Sequence, residues 1–130
     1  MHAHILLALC AAAASYVAAE NITVEVTYSV SCERKTKNED IISVNYNGTL
    51  TDGTLFDSSY DENDSHPFSF TLGAGEVIQG WELGLLDMCI GDRRTLTLPP
   101  QFGYGDDEVG PIPANSTLIF YTELMGIKGV

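Results

Sequence analysis

The sequence has few basic residues and few of the side chains that usually perform acid–base or metal chemistry. It contains 6 Lys and Arg against 18 Asp and Glu, which gives a formal net charge of −12 at pH 7. A surface of this sign repels phosphate backbones and anionic lipid headgroups, so nucleic-acid binding and membrane-surface binding are disfavoured. His66 is the only histidine after residue 19, and no Cys-x-x-Cys or EF-hand pattern is present. We therefore expect no metal site, no cofactor and no dithiol redox chemistry.

The sequence also has no apolar run of the roughly 20 residues that a transmembrane helix needs. The uncharged run Ile5–Ala19 is shorter, and its last residues, Val17-Ala-Ala, fit the small-residue pattern before a signal-peptidase site. No Lys or Arg precedes the run, and a retained membrane anchor is the alternative interpretation. We predict a cleaved signal peptide at residues 1–19, followed by one domain at residues 20–130 that does not bind the membrane.

Removal of the signal peptide would take away Cys10 and leave Cys32 and Cys89 as a pair. Two cysteines in an oxidising compartment are expected to form a disulfide, with two separate buried thiols as the alternative. The C-terminal residues Met125–Val130 carry no Lys-Asp-Glu-Leu-like signal, so we expect either the lumen of the endoplasmic reticulum or secretion. Four glycosylation sequons fit that pathway, at Asn21, Asn47, Asn63 and Asn115.

Apolar and polar residues alternate through most of the remaining sequence, a period of two that is typical of half-buried strands. The pattern predicts strands at Ile22–Val30, Ile41–Asn47, Thr54–Asp57, Pro67–Leu72, Arg93–Leu98 and Thr117–Ile127. Helical spacing occurs once, where Val77, Trp81 and Leu85 lie four residues apart. Because turns connect the strands and one helix must cover a sheet face, we predict an α+β fold, an antiparallel twisted sheet wrapped around one short α-helix.

Several motifs of the sequence resemble those of the FKBP-type peptidyl-prolyl cis-trans isomerases, in the same order. The strings are Val44-Asn-Tyr-Asn-Gly, Asp52-Gly-Thr-Leu-Phe-Asp-Ser-Ser, Leu72-Gly-Ala-Gly-Glu-Val-Ile-Gln-Gly-Trp-Glu, Phe102-Gly-Tyr-Gly, Ile112-Pro-Ala and Thr117-Leu-Ile-Phe. The resemblance extends from about Val24 to Ile127. Cys32 and Cys89 are similar to the disulfide pair of the small endoplasmic-reticulum members, which implies the same pairing here.

The resemblance implies a monomer that accelerates rotation about Xaa-Pro bonds of proteins folding in the secretory pathway. It would bind proline-containing polypeptides and macrolides of the tacrolimus and rapamycin type. The catalytic positions carried over are Tyr46, Phe56, Asp57, Ile78, Trp81, Tyr104 and Phe120, and the substrate-binding positions are Phe68, Val77 and Ile112. Trp81 would be the floor under the proline ring, while the Ile78 N–H and the Tyr104 hydroxyl would donate to substrate carbonyls.

The sequence departs from the family pattern in two loops. The acidic loop between Phe56 and Phe68 is longer than in minimal members, and no arginine was found to accompany Asp57. The loop Gly105–Pro113 differs in length and is unusually acidic, so its contacts to substrate cannot be carried over. A non-catalytic module that binds proline segments or macrolides is the main alternative, and a secreted β-sandwich adhesion domain is a third. We interpret Phe70 and Tyr121 as core residues.

Overall fold

A computed structural model describes residues 22–130 and, for the backbone alone, Tyr16–Ala19. In this part of the chain there is one α-helix, α1 (Gln79–Gly84), and one 3-10 turn, Pro100–Phe102. The strands are β1 (Tyr16–Ala19), β2 (Ile22–Tyr28), β3 (Ile41–Thr49), β4 (Leu55–Ser58), β5 (Phe68–Thr71), β6 (Arg93–Leu98) and β7 (Leu118–Ile127).

The predicted signal peptide lies outside the described residues except for the backbone of β1, and its cleavage stays a prediction. The sequence analysis did not predict β1, which pairs with β2, or the 3-10 turn. The helix of the described region is too short to cross a bilayer, and no other described segment forms a membrane-spanning helix.

All strands join one antiparallel sheet in the order β1-β2-β6-β7-β3-β4, and β5 also pairs with β3. Strands β4 and β5 share one edge of β3, because β4 pairs with its C-terminal half and β5 with its N-terminal half. The predicted α+β fold with an antiparallel sheet and one short helix is confirmed. The acidic loop leaves the sheet between β4 and β5, which places both of its ends beside β3.

The alternating pattern places one face of the sheet against the helix. Along β7, Leu118, Phe120, Thr122 and Leu124 are buried, while Tyr121 between them is exposed. Successive side chains of a strand point to opposite faces, so a period of two in the sequence becomes one apolar face and one solvent face. Helix α1 covers the apolar face.

Two glycines allow α1 to lie directly on β6. A Cβ atom on Gly84 would come within 2.9 Å of the Leu96 side chain, and one on Gly80 would collide with Leu98. A helical glycine costs about 1 kcal/mol relative to alanine, and here the close helix–sheet packing offsets that cost.

The buried side chain of Arg94 holds the C-terminal end of α1. Its Nη1 donates to the carbonyl oxygens of Gly84 (2.8 Å) and Leu86 (2.7 Å), and its Nη2 donates to that of Asp87 (3.1 Å). Burial lowers the pKa of the guanidinium group. The last carbonyls of a helix lack partners within the helix, and a cation complements the helix dipole there. Arg94 therefore fixes α1 on the sheet.

The segment before β3 is fastened to the loop after α1 by a disulfide and by Thr36. The predicted bridge between Cys32 and Cys89 is confirmed, with 5.8 Å between the Cα atoms. The buried Thr36 hydroxyl donates to the Leu85 carbonyl (2.7 Å) and accepts the Met88 N–H (2.9 Å). Covalent and hydrogen-bonded links thus hold both segments together.

Candidate active site

The inner face of the sheet, the helix and two loops enclose a cavity of about 460 Å³. It is lined by Tyr46, Phe56, Asp57, Phe68, Gly75, Glu76, Val77, Ile78, Trp81, Tyr104 and Phe120. The fold thus brings together nine of the ten carried-over catalytic and substrate-binding positions, and their roles stay predictions. These residues come from strands β3, β4, β5 and β7, from helix α1, from the loop before α1 and from the loop after the 3-10 turn.

Trp81 forms the buried floor of the cavity, with 4% of its surface exposed. Its ring meets that of Tyr46 edge-on at a centroid distance of 4.9 Å and that of Phe120 at 5.3 Å. Edge-to-face aromatic pairs stabilise by about 0.5–1.5 kcal/mol each beyond the area they bury. The indole N–H has no hydrogen-bond partner in the described region. Ring packing therefore sets the position of the indole.

Gly48 determines how closely two walls of the cavity approach each other. It pairs with Phe120 on β7 and with Asp57 on β4, and the rings of Phe56 and Phe120 lie over its Cα. A Cβ atom at this position would lie 2.8 Å from an atom of either ring. The two rings meet edge-on, with 5.6 Å between their centroids. Gly48 ends the motif Val44-Asn-Tyr-Asn-Gly, but the sequence alone did not indicate this role.

The polar edge of the cavity is a hydrogen-bonded pair of Tyr46 and Asp57. The Tyr46 hydroxyl donates to Oδ2 of Asp57 (2.6 Å), and Oδ1 accepts the N–H of Ser58 (2.8 Å). The side-chain partner of Asp57 in this structure is therefore Tyr46.

Both tyrosines of the cavity are hydrogen-bond donors at neutral pH. Burial and, second, the hydrogen bond to Asp57 raise the pKa of Tyr46 far above its usual value. Burial and the charge of Asp57 also raise the pKa of Tyr104. The Tyr104 hydroxyl has no hydrogen-bond partner among the described residues, which leaves it free to donate to a ligand.

Glu82 holds the loop that leads into α1. Its carboxylate oxygens accept the N–H groups of Gly73 and Gly75, both at 2.7 Å, and both glycines have positive φ values. The loop ends at Ile78, which precedes the first helical residue and whose N–H has no acceptor within the described part of the chain. Glu82 is a positioning residue that the sequence analysis missed, and the glycine pair preceding Trp81-Glu82 was its signal.

Three other sequence-based assignments have mixed outcomes. Ile112 does not line the cavity, since it is buried in the hydrophobic core and bridges to Val109 within its own loop. Its role in substrate binding stays a prediction. Phe70 is a core residue as predicted, whereas the prediction for Tyr121 is wrong, because Tyr121 is 49% exposed on the solvent face of β7.

The residues described in the structure contain no group of three His, Cys, Asp or Glu side chains arranged to hold a metal ion. The cavity has a buried aromatic floor, apolar walls and two unpaired donors at its mouth. Such a site has the shape and chemistry of a pocket for a small apolar group with hydrogen-bond acceptors near it.

The sequence identifies the class more narrowly. The profile of the family described as FKBP-type peptidyl-prolyl cis-trans isomerase matches residues 32–125, and the chain belongs to this family.

Curated relatives in fungi agree with this assignment. FK506-binding protein 2 of Podospora anserina is 57% identical over 123 residues, which cover 94% of this chain and 65% of that protein. FK506-binding protein 2 of Gibberella zeae is 54% identical over 131 residues, with coverage of 100% and 66%. FK506-binding protein 2 of Emericella nidulans is 56% identical over 113 residues, with coverage of 86% and 82%. The chain spans just under two thirds of the length of the first two relatives.

Proposed function

We propose that this domain is a peptidyl-prolyl cis-trans isomerase that accelerates rotation about Xaa-Pro bonds. The observation that supports the proposal best is the 460 Å³ cavity floored by Trp81, in which the matched family's aromatic positions meet. The cavity is large enough for a proline ring and its neighbouring peptide groups. The proposed substrates are proline-containing polypeptides.

The proposed mechanism needs no bond cleavage. Amide resonance opposes rotation with a barrier of about 18–20 kcal/mol, and the resonance is lost in the twisted amide. A catalyst must therefore bind the twisted amide more tightly than either planar form. The apolar walls remove water from the amide and hold the proline ring over Trp81. They favour the twisted amide, because a carbonyl that has lost conjugation is less polar than a planar one.

Two donors at the mouth orient the substrate in this proposal. The unpaired N–H of Ile78 and the hydroxyl of Tyr104 hydrogen-bond to carbonyls on either side of the proline. Fixing these groups removes orientational freedom before the rotation begins. Asp57, held by Tyr46, places its carboxylate at the edge of the cavity and fixes the Tyr46 ring against Trp81.

The relatives are named for binding FK506, and we propose that FK506 and related macrolides occupy the same cavity here. We further propose that the protein acts as a monomer in the endoplasmic reticulum lumen or after secretion. The Cys32–Cys89 disulfide supports an oxidising compartment.

The test is a stopped-flow cis-to-trans assay on a short Leu-Pro peptide with the oxidised protein, with and without FK506. Tyr104→Phe removes a cavity hydroxyl, and Tyr121→Phe, its matched control, removes an exposed hydroxyl outside the cavity. We expect kcat/KM to fall about three- to tenfold for Tyr104→Phe, the value of one hydrogen bond, and to stay unchanged for Tyr121→Phe. FK506 should abolish the acceleration.

The family's binding function without turnover is the second candidate, and it is favoured by the position of Ile112 outside the cavity. Trp81 is the only tryptophan of the chain, so its fluorescence reports occupancy of the cavity directly. Quenching by FK506 and by the peptide, without any acceleration of isomerisation, would establish a binding module instead of an enzyme.

A further inference from the structure

The cavity is lined by negative charge without any basic side chain. Asp57 and Glu76 are among its lining residues, and none of the six Lys and Arg of the chain is. Both carboxylates are held in place, Asp57 by Tyr46 and Glu76 by the N–H of Thr71 (3.0 Å). The cavity therefore has an apolar interior and two fixed carboxylates in its wall.

The loop between β4 and β5, which begins and ends at the cavity, carries further negative charge. Asp57 precedes this loop and Phe68 follows it, and both line the cavity, so the loop begins and ends at the site. Its three acidic residues are exposed: Asp61, Glu62 and Asp64. A bridge between Tyr60 and Ser65 closes the loop into a compact lobe. His66, its one titratable base, already contacts Asp61 at 2.8 Å.

The loop after Tyr104 adds charge from another element. Tyr104 lines the cavity, and a turn in which Asp107 N–H donates to the Tyr104 carbonyl (3.1 Å) follows at once. The next three acids, Asp106, Asp107 and Glu108, are all exposed. The three acids therefore follow the cavity residue Tyr104 within four positions of the sequence, on a turn that is hydrogen-bonded to the Tyr104 carbonyl.

The basic residues of the chain are engaged or located elsewhere. Arg34 forms a bidentate pair with Asp40, Arg94 is buried against helix carbonyls, and Arg93 lies over Tyr28 on the solvent face of the sheet. The three lysines lie outside the cavity, at positions Lys35, Lys37 and Lys128. No cation of the described region thus offsets the carboxylates that line the site.

We propose that the cavity selects Xaa-Pro segments that have Lys or Arg within about two residues of the proline. The proline ring enters the apolar interior, and the flanking cation faces the acidic rim, by which we mean Asp57, Glu76 and the exposed acids of the two loops. Unlike charges attract there over roughly one Debye length. Isomerisation of such segments rests on the proposed function, whereas their preferential binding does not.

The experiment compares three peptides that share a Leu-Pro core and differ in one flanking residue: Lys, Gln or Glu. Quenching of Trp81 fluorescence gives the affinity of each, and the stopped-flow assay gives its kcat/KM. At about 10 mM salt we expect the Lys peptide to bind about tenfold more tightly than the Glu peptide, with Gln between them. At about 0.5 M salt the ratio should fall below about twofold.

Two triple variants locate the charge that acts. Asp106→Asn/Asp107→Asn/Glu108→Gln removes three charges from the loop that follows the cavity residue Tyr104 and should reduce the Lys-to-Glu affinity ratio at low salt to about threefold or less. The matched control Glu25→Gln/Glu33→Gln/Asp87→Asn removes three exposed charges at positions that do not adjoin a cavity-lining residue in the sequence, and it should leave the ratio near tenfold.

The outcomes separate this inference from the proposed function. Equal affinity for the Lys and Glu peptides at low salt, or an equal effect of the two triple variants, would overturn the charge preference even if the Gln peptide is isomerised. Binding with the expected charge order but without acceleration of any peptide would support the preference and overturn the proposed enzymatic activity. Failure of all three peptides both to quench Trp81 and to be isomerised faster would overturn both.

Discussion

Substitution of Gly48 by alanine tests whether the walls of the cavity depend on one missing Cβ atom. The added atom would lie 2.8 Å from Cε1 of Phe120 and 2.8 Å from Cζ of Phe56. Ordinary van der Waals contact begins near 3.4 Å, so each ring must retreat by roughly 0.6 Å. Both rings line the cavity, and the Phe120 ring also packs against Trp81. The retreat therefore narrows or distorts the binding site.

The expected effect has two parts. Overpacking of a filled core costs about 1–3 kcal/mol, so the free energy of unfolding should fall by that amount. Displacement of two of the ring walls should also weaken ligand binding about tenfold, which corresponds to about 1.4 kcal/mol. Urea unfolding measures the first, and quenching of Trp81 by FK506 or a Leu-Pro peptide measures the second.

Gly126→Ala is the matched control, since nothing lies within 4 Å of a Cβ atom at that strand position. It should change the free energy of unfolding by less than about 1 kcal/mol and leave ligand affinity unaltered. Equal stability and equal affinity of the Gly48→Ala and Gly126→Ala proteins would refute the argument that Gly48 sets the spacing of the walls.

Three further predictions concern the framework that supports the site. Replacing Cys32 and Cys89 together by serine should lower the free energy of unfolding in urea by up to about 4 kcal/mol while the folded protein still binds FK506, and an unchanged urea midpoint would contradict this. Arg94→Met leaves buried carbonyls at the end of α1 without donors and should cost about 3 kcal/mol, measured in the same way; a loss below about 1 kcal/mol would show that Arg94 is dispensable. The hydrogen bond from Arg34 lowers the pKa of the buried Asp40 carboxyl far below its unfolded value of about 4. The ion pair therefore stabilises the folded state above about pH 4, and this contribution is lost as the pH falls toward the folded pKa. Thermal unfolding from about pH 6 to pH 2 should therefore show a steeper loss of stability in the native protein than in Asp40→Asn, and parallel curves would refute the assignment.

The elements of the fold were predictable because each depends on a local pattern. Alternating residues along β6 and β7 predicted both strands within a residue of their observed bounds. The same local logic failed for Tyr121, since alternation shows that neighbours face opposite sides but not which side is the core. Only the position of α1 over one face made Phe120 a cavity residue and left Tyr121 in solvent.

Most residues of the candidate site could be predicted from the sequence, but the contacts between them could not. The resemblance to a family named nine of the lining residues. The partner of Asp57 is Tyr46, which is eleven positions away in sequence but lies across a strand pair. Glu82 acts on two backbone N–H groups and Gly48 acts through the absence of a Cβ atom, so only the glycines before Glu82 gave the sequence any signal of these roles.

The sequence by itself determined the strand and helix pattern, the acidic charge, the available cysteine pair and the family, because each is a property of residue types and their spacing. Tertiary structure decided which rings meet over Gly48, which hydroxyl holds Asp57, and that no cation of the described chain lines a cavity with two carboxylates. These are relations between residues far apart in the chain. Their distances exist only after the sheet has brought β3, β4 and β7 together around α1.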